Sequence, residues 1–301
     1  MLVTGAEGMV GSHVAQALVG YQLCMTDFVT ADATLDIRDP AAVSDVFTDY
    51  VPDVVLHLAA ATDVDRCEQD PEWAYAVNAV GTQNVALACQ TVGALLVYIS
   101  TGNVFSGEKS EPYTEFDKPD PVNVYGASKL AGEEIVSTLL NRYYIVRAGW
   151  MIGGGEKDKK FVGKIVRMIL EGKTKVKAVD DKFGSPTYAH DMLRGISQLI
   201  DTGYYGLYHM ANVGVATRYQ IACAIRDILK HLDVEIEPVP STHFPLPAPR
   251  INMEALDNYK LGLLGLNWMQ PWHAALKAYL LDNLLPSLSS SVTQELRSEE
   301  Q

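Results

Sequence analysis

Three glycines constrain this chain more than any other feature. The short apolar strand read over residues 1–4 leads straight into GAEGMVG, so Gly5, Gly8 and Gly11 stand between it and an apolar helical stretch from about Val10 to Val19. Glycines in that place permit a tight turn, a close approach of backbone to phosphate, and close packing of helix on strand. The free N–H groups at the helix start then suit a diphosphate. Alone, such a triplet is a weak signal. Between a strand and a helix it predicts a dinucleotide-binding βαβ unit.

The next strand, read as Tyr21 to Thr26, ends at Asp27, 22 residues after Gly5. That is near the spacing expected for an acidic residue on an adenosine ribose. A carboxylate there accepts from the 2′-hydroxyl and repels a 2′-phosphate. No Arg or Lys occurs from Phe28 to Ile37, so NADH is expected to be preferred, with NADPH still possible. Asp36 and Ile37 read either as an adenine contact or as a turn before the helix at Pro40. A third strand, Val54 to Leu58, runs into Ala59, Ala60 and Ala61, small residues that let a cofactor lie against the backbone. Asn78 sits in an apolar helix read from Pro71 to Thr91. Buried, it needs hydrogen-bond partners, and it either orders the cofactor side or ties down a neighbouring loop.

The chemistry is concentrated in residues 97–134, VYISTGNVFSGEKSEPYTEFDKPDPVNVYGASKLAGEE. A β-branched strand ends at Ser100 and Thr101, a polar loop follows, and a helix opens with Tyr125 and Lys129. Four residues is about one turn, so phenol and ammonium share a helix face. A cation about 4 Å away stabilises a phenolate by roughly 4 kcal/mol at an effective dielectric of about 20. That is about three pKa units, which would bring the phenol towards working pH. With Thr101 sharing the hydrogen bond to a substrate oxygen, the trio suits reduction of a ketone: hydride reaches carbon and the phenol supplies the proton.

The alternation of strand and helix predicts an α/β fold, a Rossmann-type doubly wound parallel sheet with a smaller C-terminal substrate-binding lobe. Residues 1–150 form the dinucleotide-binding core and 151–285 mostly the second lobe, some of whose strands return to the core sheet; 286–301 read as a disordered polar tail. Trp150 falls just past a strand end, on the ligand side of such a sheet. The stretch PVPSTHFPLPAPR reads as an extended arm across the surface or over the site. A formal charge of −13 argues against nucleic acid and anionic membrane as partners. Lys157, Lys159, Lys160, Lys164 and Arg167 form the one basic cluster, either a diphosphate pocket or a solvated face. Cys24, Cys67, Cys89 and Cys223 show no metal-ligand spacing and read as free thiols of a reducing cytosol. Neither a signal peptide nor a membrane span is expected, so the chain is placed in the cytoplasm.

The motifs LVTGAEGMVG, HLAAATDVDRCEQDPEWAYAVNAVGTQNVA, YIST…VYGASKLAGE, YYIVRAGWMIG, FGSPTYAHDM and GLYHMANVG resemble the dTDP-4-dehydrorhamnose reductase family of the extended short-chain dehydrogenase/reductase superfamily. The resemblance extends to about residue 285. It implies NAD(P)H-dependent reduction of a 4-keto-6-deoxy nucleotide sugar. Tyr125 would donate the proton, and Lys129 would lower its pKa and hold the nicotinamide ribose. Thr101 would tune Tyr125 and touch the substrate. Gly8, Met9 and Val10 would approach the diphosphate, Asp27 the ribose, Asp36 and Ile37 the adenine, and Ala59, Ala60 and Ala61 the cofactor's length; Trp150 would meet the sugar nucleotide.

Where the family reads STDYVF, this chain reads STGNVF, so Gly102 and Asn103 occupy the substrate end without a carboxylate. The late R-P-x-N-S signature is altered too, with Ile251 after Arg250. Some members hold magnesium across a dimer interface through glutamates; here His13 stands at the early position and Asp191 near the later one, and no metal is expected, while a homodimer is compatible with the resemblance. Two rivals remain open: an epimerase or dehydratase that retains NAD, and a non-catalytic regulatory subunit resembling the β subunit of methionine adenosyltransferase.

Overall fold

The computed structural model describes residues 1–28 and 32–288. Its centre is a seven-stranded, all-parallel sheet: β1 Leu2–Thr4, β2 Cys24–Asp27, β3 Ala33–Thr34, β4 Val54–His57, β5 Leu95–Thr101, β6 Tyr143–Ala148 and β7 Gly206–His209. Their spatial order is β7-β6-β5-β4-β1-β2-β3. The order reverses at β1 and β4, which leaves a crevice at the carboxyl ends of the strands. One buried cluster lies on each face, around Phe47, Val85 and Tyr98 on one side and Val14, Tyr144 and Met192 on the other. A strand that is covered on both faces reads as a continuous apolar run, as Leu95–Ile99 does.

A third cluster, around Val162, Val166, Ile225 and Leu276, lies beyond β6 under the helices Phe161–Leu170, Arg218–Leu229 and Trp272–Tyr279. A parallel pair, Lys175–Val179 with Glu235–Val239, edges this region. The last helical run passes through a π-helical segment, Leu280–Leu284, and continues over 285–288. Most of the polar stretch read as a tail, 289–301, lies outside the described residues, as do 29–31. Among the described residues no helix is long and apolar enough to cross a membrane.

Two helices differ from expectation. The stretch read as a helix from Val10 to Val19 is a 3-10 turn, Gly11–His13, and one α turn, Val14–Ala17. The stretch read as one helix from Pro71 is broken by a π-helical segment, Ala76–Gly81, centred on Asn78. The side chain of Thr82 donates to the Asn78 carbonyl at 2.8 Å, which satisfies a backbone group that the wider turn frees.

Candidate active site

A cleft of about 1320 Å³ follows the carboxyl ends of the strands. Gly5, Gly8, Met9, Val10 and Gly11 line it at one end, with Asp27, Asp36, Ile37, Ala59 and Ala60; Thr101, Asn103, Tyr125, Lys129 and Trp150 line it further along. The glycine loop is tight for a visible reason. A Cβ on Gly5, whose φ is +72°, would sit 2.5 Å from the Ala59 nitrogen, and one on Gly11 would sit 2.1 Å from the Ala6 carbonyl oxygen. A Cβ on Gly8 would meet only the Gly5 oxygen at 3.2 Å, so its open side faces the cleft. Asp27 is pinned by its own loop: the N–H groups of Phe28 and Glu7 donate to it at 2.6 and 2.8 Å. Asp36 grips Arg38 at 2.7 Å. Ile37 is held by Asn84, whose amide donates to its carbonyl at 2.9 Å.

Three residues expected at the site do not line the cleft. Asn78 is wholly buried; it accepts from the Ala61 N–H at 2.8 Å and donates to the Ala61 carbonyl and to Ser128 Oγ at 3.1 and 2.9 Å. Ser128 belongs to the helix Val124–Leu139, which carries Tyr125 and Lys129, so Asn78 ties the β4 loop to that helix from behind. Ala61 is buried by the same clamp. Gly102 is buried against Glu254, with no atom on the cleft wall.

The helix Val124–Leu139 starts where Asn123 caps it, accepting from the Gly126 N–H at 2.8 Å. The other end of that amide donates to Asn103 Oδ1 and to the Pro249 carbonyl, both at 3.1 Å. One cap therefore fixes the helix start, the loop after β5 and the late arm together. Tyr125 lies two residues past this cap, and Thr101 lines the same cleft from the strand end, its hydroxyl accepting from the Asn103 N–H at 3.1 Å.

The expectation of an acidified phenol is corrected. Burial pushes the Tyr125 phenol up to about 12, the bond from Thr101 pulls it partly back, and the charge of Glu254 pushes it up again. Lys129 Nζ lies 4.0 Å above the Tyr98 ring. Burial lowers its own pKa to about 7, against the upward pull of Glu133 one turn away. Lys129 is not among the groups that shift the phenol, and desolvation outweighs the downward pull of Thr101. The phenol stays protonated at neutral pH, which is the form a proton donor needs. Behind it, Arg147 and Glu133 form a buried bidentate pair at 2.9 and 2.6 Å, and Ser100 donates to Glu133 at 2.5 Å.

The far end of the cleft adds Arg218, which the sequence pattern did not single out, to basic residues that it did. Arg218 lies 3.8 Å from the Trp150 ring centroid and 5.0 Å from that of Phe161, and burial brings its pKa down to about 10. Arg250 pairs with Asp65 at 3.0 Å, docking the Pro-rich arm over the site, and Ala248 N–H donates to the same carboxylate. Lys159, Lys160 and Lys164 also line this end, whereas Arg167 spends its guanidinium on the carbonyls of Asp158 and Glu156. The side chain of Lys157 lies outside the described residues. His13 is buried against Tyr188, and Asp191 accepts from Asn212 and Gln270.

A parallel sheet with this strand order, a glycine-rich first turn and a Tyr–Lys helix beside a hydroxyl-bearing strand end define an extended short-chain dehydrogenase/reductase, an NAD(P)-dependent oxidoreductase. The family model "RmlD substrate binding domain" matches residues 1–284. The dTDP-4-dehydrorhamnose reductase of Mycobacterium tuberculosis H37Rv is 37% identical over 303 residues, covering 99% of this chain and 97% of that one. The crystal structure of the Bacillus anthracis dTDP-4-dehydrorhamnose reductase in complex with NADP is similar at 36% identity and a TM-score of 0.87, over 94% of this chain and 98% of that one. That of the Yersinia enterocolitica enzyme is similar at 41% identity and a TM-score of 0.84, over 92% and 97%. The chain belongs to the dTDP-4-dehydrorhamnose reductase family.

Proposed function

We propose that this protein reduces dTDP-4-dehydrorhamnose to dTDP-L-rhamnose with NAD(P)H. The observation that carries the reading is the meeting of Thr101, Tyr125 and Lys129 on one wall of a cleft that begins at the glycine loop. A reduced nicotinamide supplies the hydride for C4 of the sugar. Tyr125 gives its proton to the oxygen on that carbon as negative charge develops there, and Thr101 shares the hydrogen bond. Lys129, titrating at about 7, is matched to returning a proton to the phenolate at neutral pH. Gly8, Met9, Val10 and Gly11 receive the diphosphate of the cofactor, and Asp27 its adenosine ribose. Arg218, Arg250 and the lysines of the far end suit the diphosphate of the nucleotide sugar, with Trp150 against its sugar.

Both Asp27 oxygens are held in place, and Arg38 is taken up by Asp36, so NADH is preferred and NADPH is used less well. The test is oxidation of NADH and of NADPH against a panel of 4-keto-6-deoxy nucleotide sugars. The expected result is one reduced cofactor consumed per dTDP-L-rhamnose formed, with NADH the better donor. Product formed with no net consumption of cofactor would mark an epimerase instead, and a clear preference for NADPH would overturn the role of Asp27.

A further inference from the structure

Gly102 and Asn103 leave the strand end after Thr101 without the carboxylate of the STDYVF pattern. The structure places another carboxylate against the same spot. A Cβ on Gly102 would meet the Glu254 carbonyl oxygen at 2.9 Å and Glu254 Cγ at 3.2 Å, so the glycine makes the room that Glu254 occupies. Glu254 falls at the serine position of the R-P-x-N-S signature that starts at Arg250. The two departures from the family pattern are therefore in contact: a carboxylate is lost at 102 and one is gained at 254.

The Glu254 head group is held by two donors. Asn103 Nδ2 donates to Oε1 at 2.6 Å and Trp150 Nε1 to Oε2 at 2.8 Å. Its backbone N–H donates to the Phe183 carbonyl at 2.7 Å, which fixes the segment from below. An ionised carboxylate has about four acceptor positions, so these two bonds leave acceptor capacity on each oxygen. The residue lines the cleft beside Trp150, Thr101 and Tyr125. Burial pushes the Glu254 carboxyl up from its ordinary range, and the bond from Trp150 and the charges of Arg218 and Arg250 pull it back towards the ionised form. Such a group, fixed and polar at the sugar end, is matched to hydroxyl donors.

We infer that Glu254 is a specificity-determining residue that accepts a hydrogen bond from a ring hydroxyl next to the reacting C4 carbonyl, in place of the carboxylate missing at Gly102. This rests on the reductase reading for the identity of the sugar, but its test does not need turnover. A single carboxylate at this point does not make the acid–base pair that elimination across a sugar requires, so the inference keeps the site a reductase.

The experiment measures the affinities of dTDP-L-rhamnose and of dTDP for the full chain, for Glu254→Gln and for Glu254→Ser, by calorimetry with NADH bound. Melting temperature is recorded for each protein. In the wild type the sugar nucleotide binds more tightly than dTDP. In Glu254→Ser that advantage falls about 10-fold or more, the size expected for loss of a hydrogen bond to a charged acceptor. In Glu254→Gln, which keeps the shape and one acceptor, it falls less, while dTDP binding stays within about 2-fold of wild type in both. An advantage unchanged in both variants overturns the inference, as does a wild type that binds dTDP and dTDP-L-rhamnose equally. So does an equal loss for both ligands, which would reduce Glu254 to a brace for Trp150. A wild type that binds the sugar nucleotide through Glu254 but does not oxidise NADH would instead break the proposed reductase activity.

Discussion

The cofactor end of the cleft is made of residues that are close in sequence and set by backbone. Gly5, Gly8 and Gly11 sit within one turn, and Asp27 is fixed by N–H groups of its own and the preceding loop. The sugar end is made of side chains brought from far apart. The bonds Trp150–Glu254, Asn103–Glu254 and Arg250–Asp65 span 104, 151 and 185 positions. At the first end a substitution meets main chain that cannot move. At the second the clash is milder and partly with side chains, as at Gly102, where a Cβ would meet the Glu254 carbonyl oxygen at 2.9 Å and its Cγ at 3.2 Å.

Tyr125→Phe, at the junction of the two ends, carries the largest effect. It should lower kcat by about 10³-fold, within the span of general acid catalysis, and leave NADH affinity unchanged. A kcat near wild type would move the proton donor elsewhere.

The buried sheet also carries a pH liability. Burial holds His57 and His209 neutral, down to about 3 for each, from an ordinary 6.5. The unfolded chain binds protons on them below 6.5 while the native state does not. Stability is therefore full above pH 6.5 and falls as pH drops towards 3, by about 2 kcal/mol for each histidine at pH 5. Unfolding midpoints in urea should fall between pH 7 and 5, and His57→Gln should flatten part of that slope; a flat wild-type profile would contradict the burial argument.

A matched pair of glycine substitutions sharpens the contrast directly. Gly11→Ala puts a methyl group 2.1 Å from the Ala6 carbonyl oxygen, and it should cost about 3 kcal/mol of stability with cofactor binding lost alongside. Gly102→Ala puts a methyl group 2.9 Å from the Glu254 carbonyl oxygen, a milder clash that this segment must still shift to relieve, so it should cost about 1–2 kcal/mol while raising KM for the sugar nucleotide severalfold. Equal melting losses in the two would erase the distinction between the ends.

The same contrast explains what the sequence disclosed. The strands β1, β2, β4, β5 and β6, the glycine turn, Asp27 and the Tyr125–Lys129 helix follow from local pattern, because each is fixed by neighbours in the chain. Arg218 looks like any helix-start cation until the Trp150 ring lies beneath it. Glu254 has no local signal, since its partners are Asn103 and Trp150. The strand Glu235–Val239 is hidden by its Pro238 and exists through pairing with Lys175–Val179, some 60 positions earlier. Asn78 was legible as a buried polar residue, but its partners, Ala61 and Ser128, were not. The pKa of Tyr125 was misread because helix spacing reveals the cation and says nothing of desolvation.

Isotope transfer tests the central claim most directly. NADH carrying deuterium in the transferable position at nicotinamide C4 is incubated with dTDP-4-dehydrorhamnose and the protein, and the product is read by mass spectrometry and NMR. The account predicts one deuterium, located at C4 of the sugar, for each NAD⁺ formed, and none with Tyr125→Phe over the same interval. Deuterium absent from C4, or transfer at the wild-type rate in the phenylalanine variant, would contradict it.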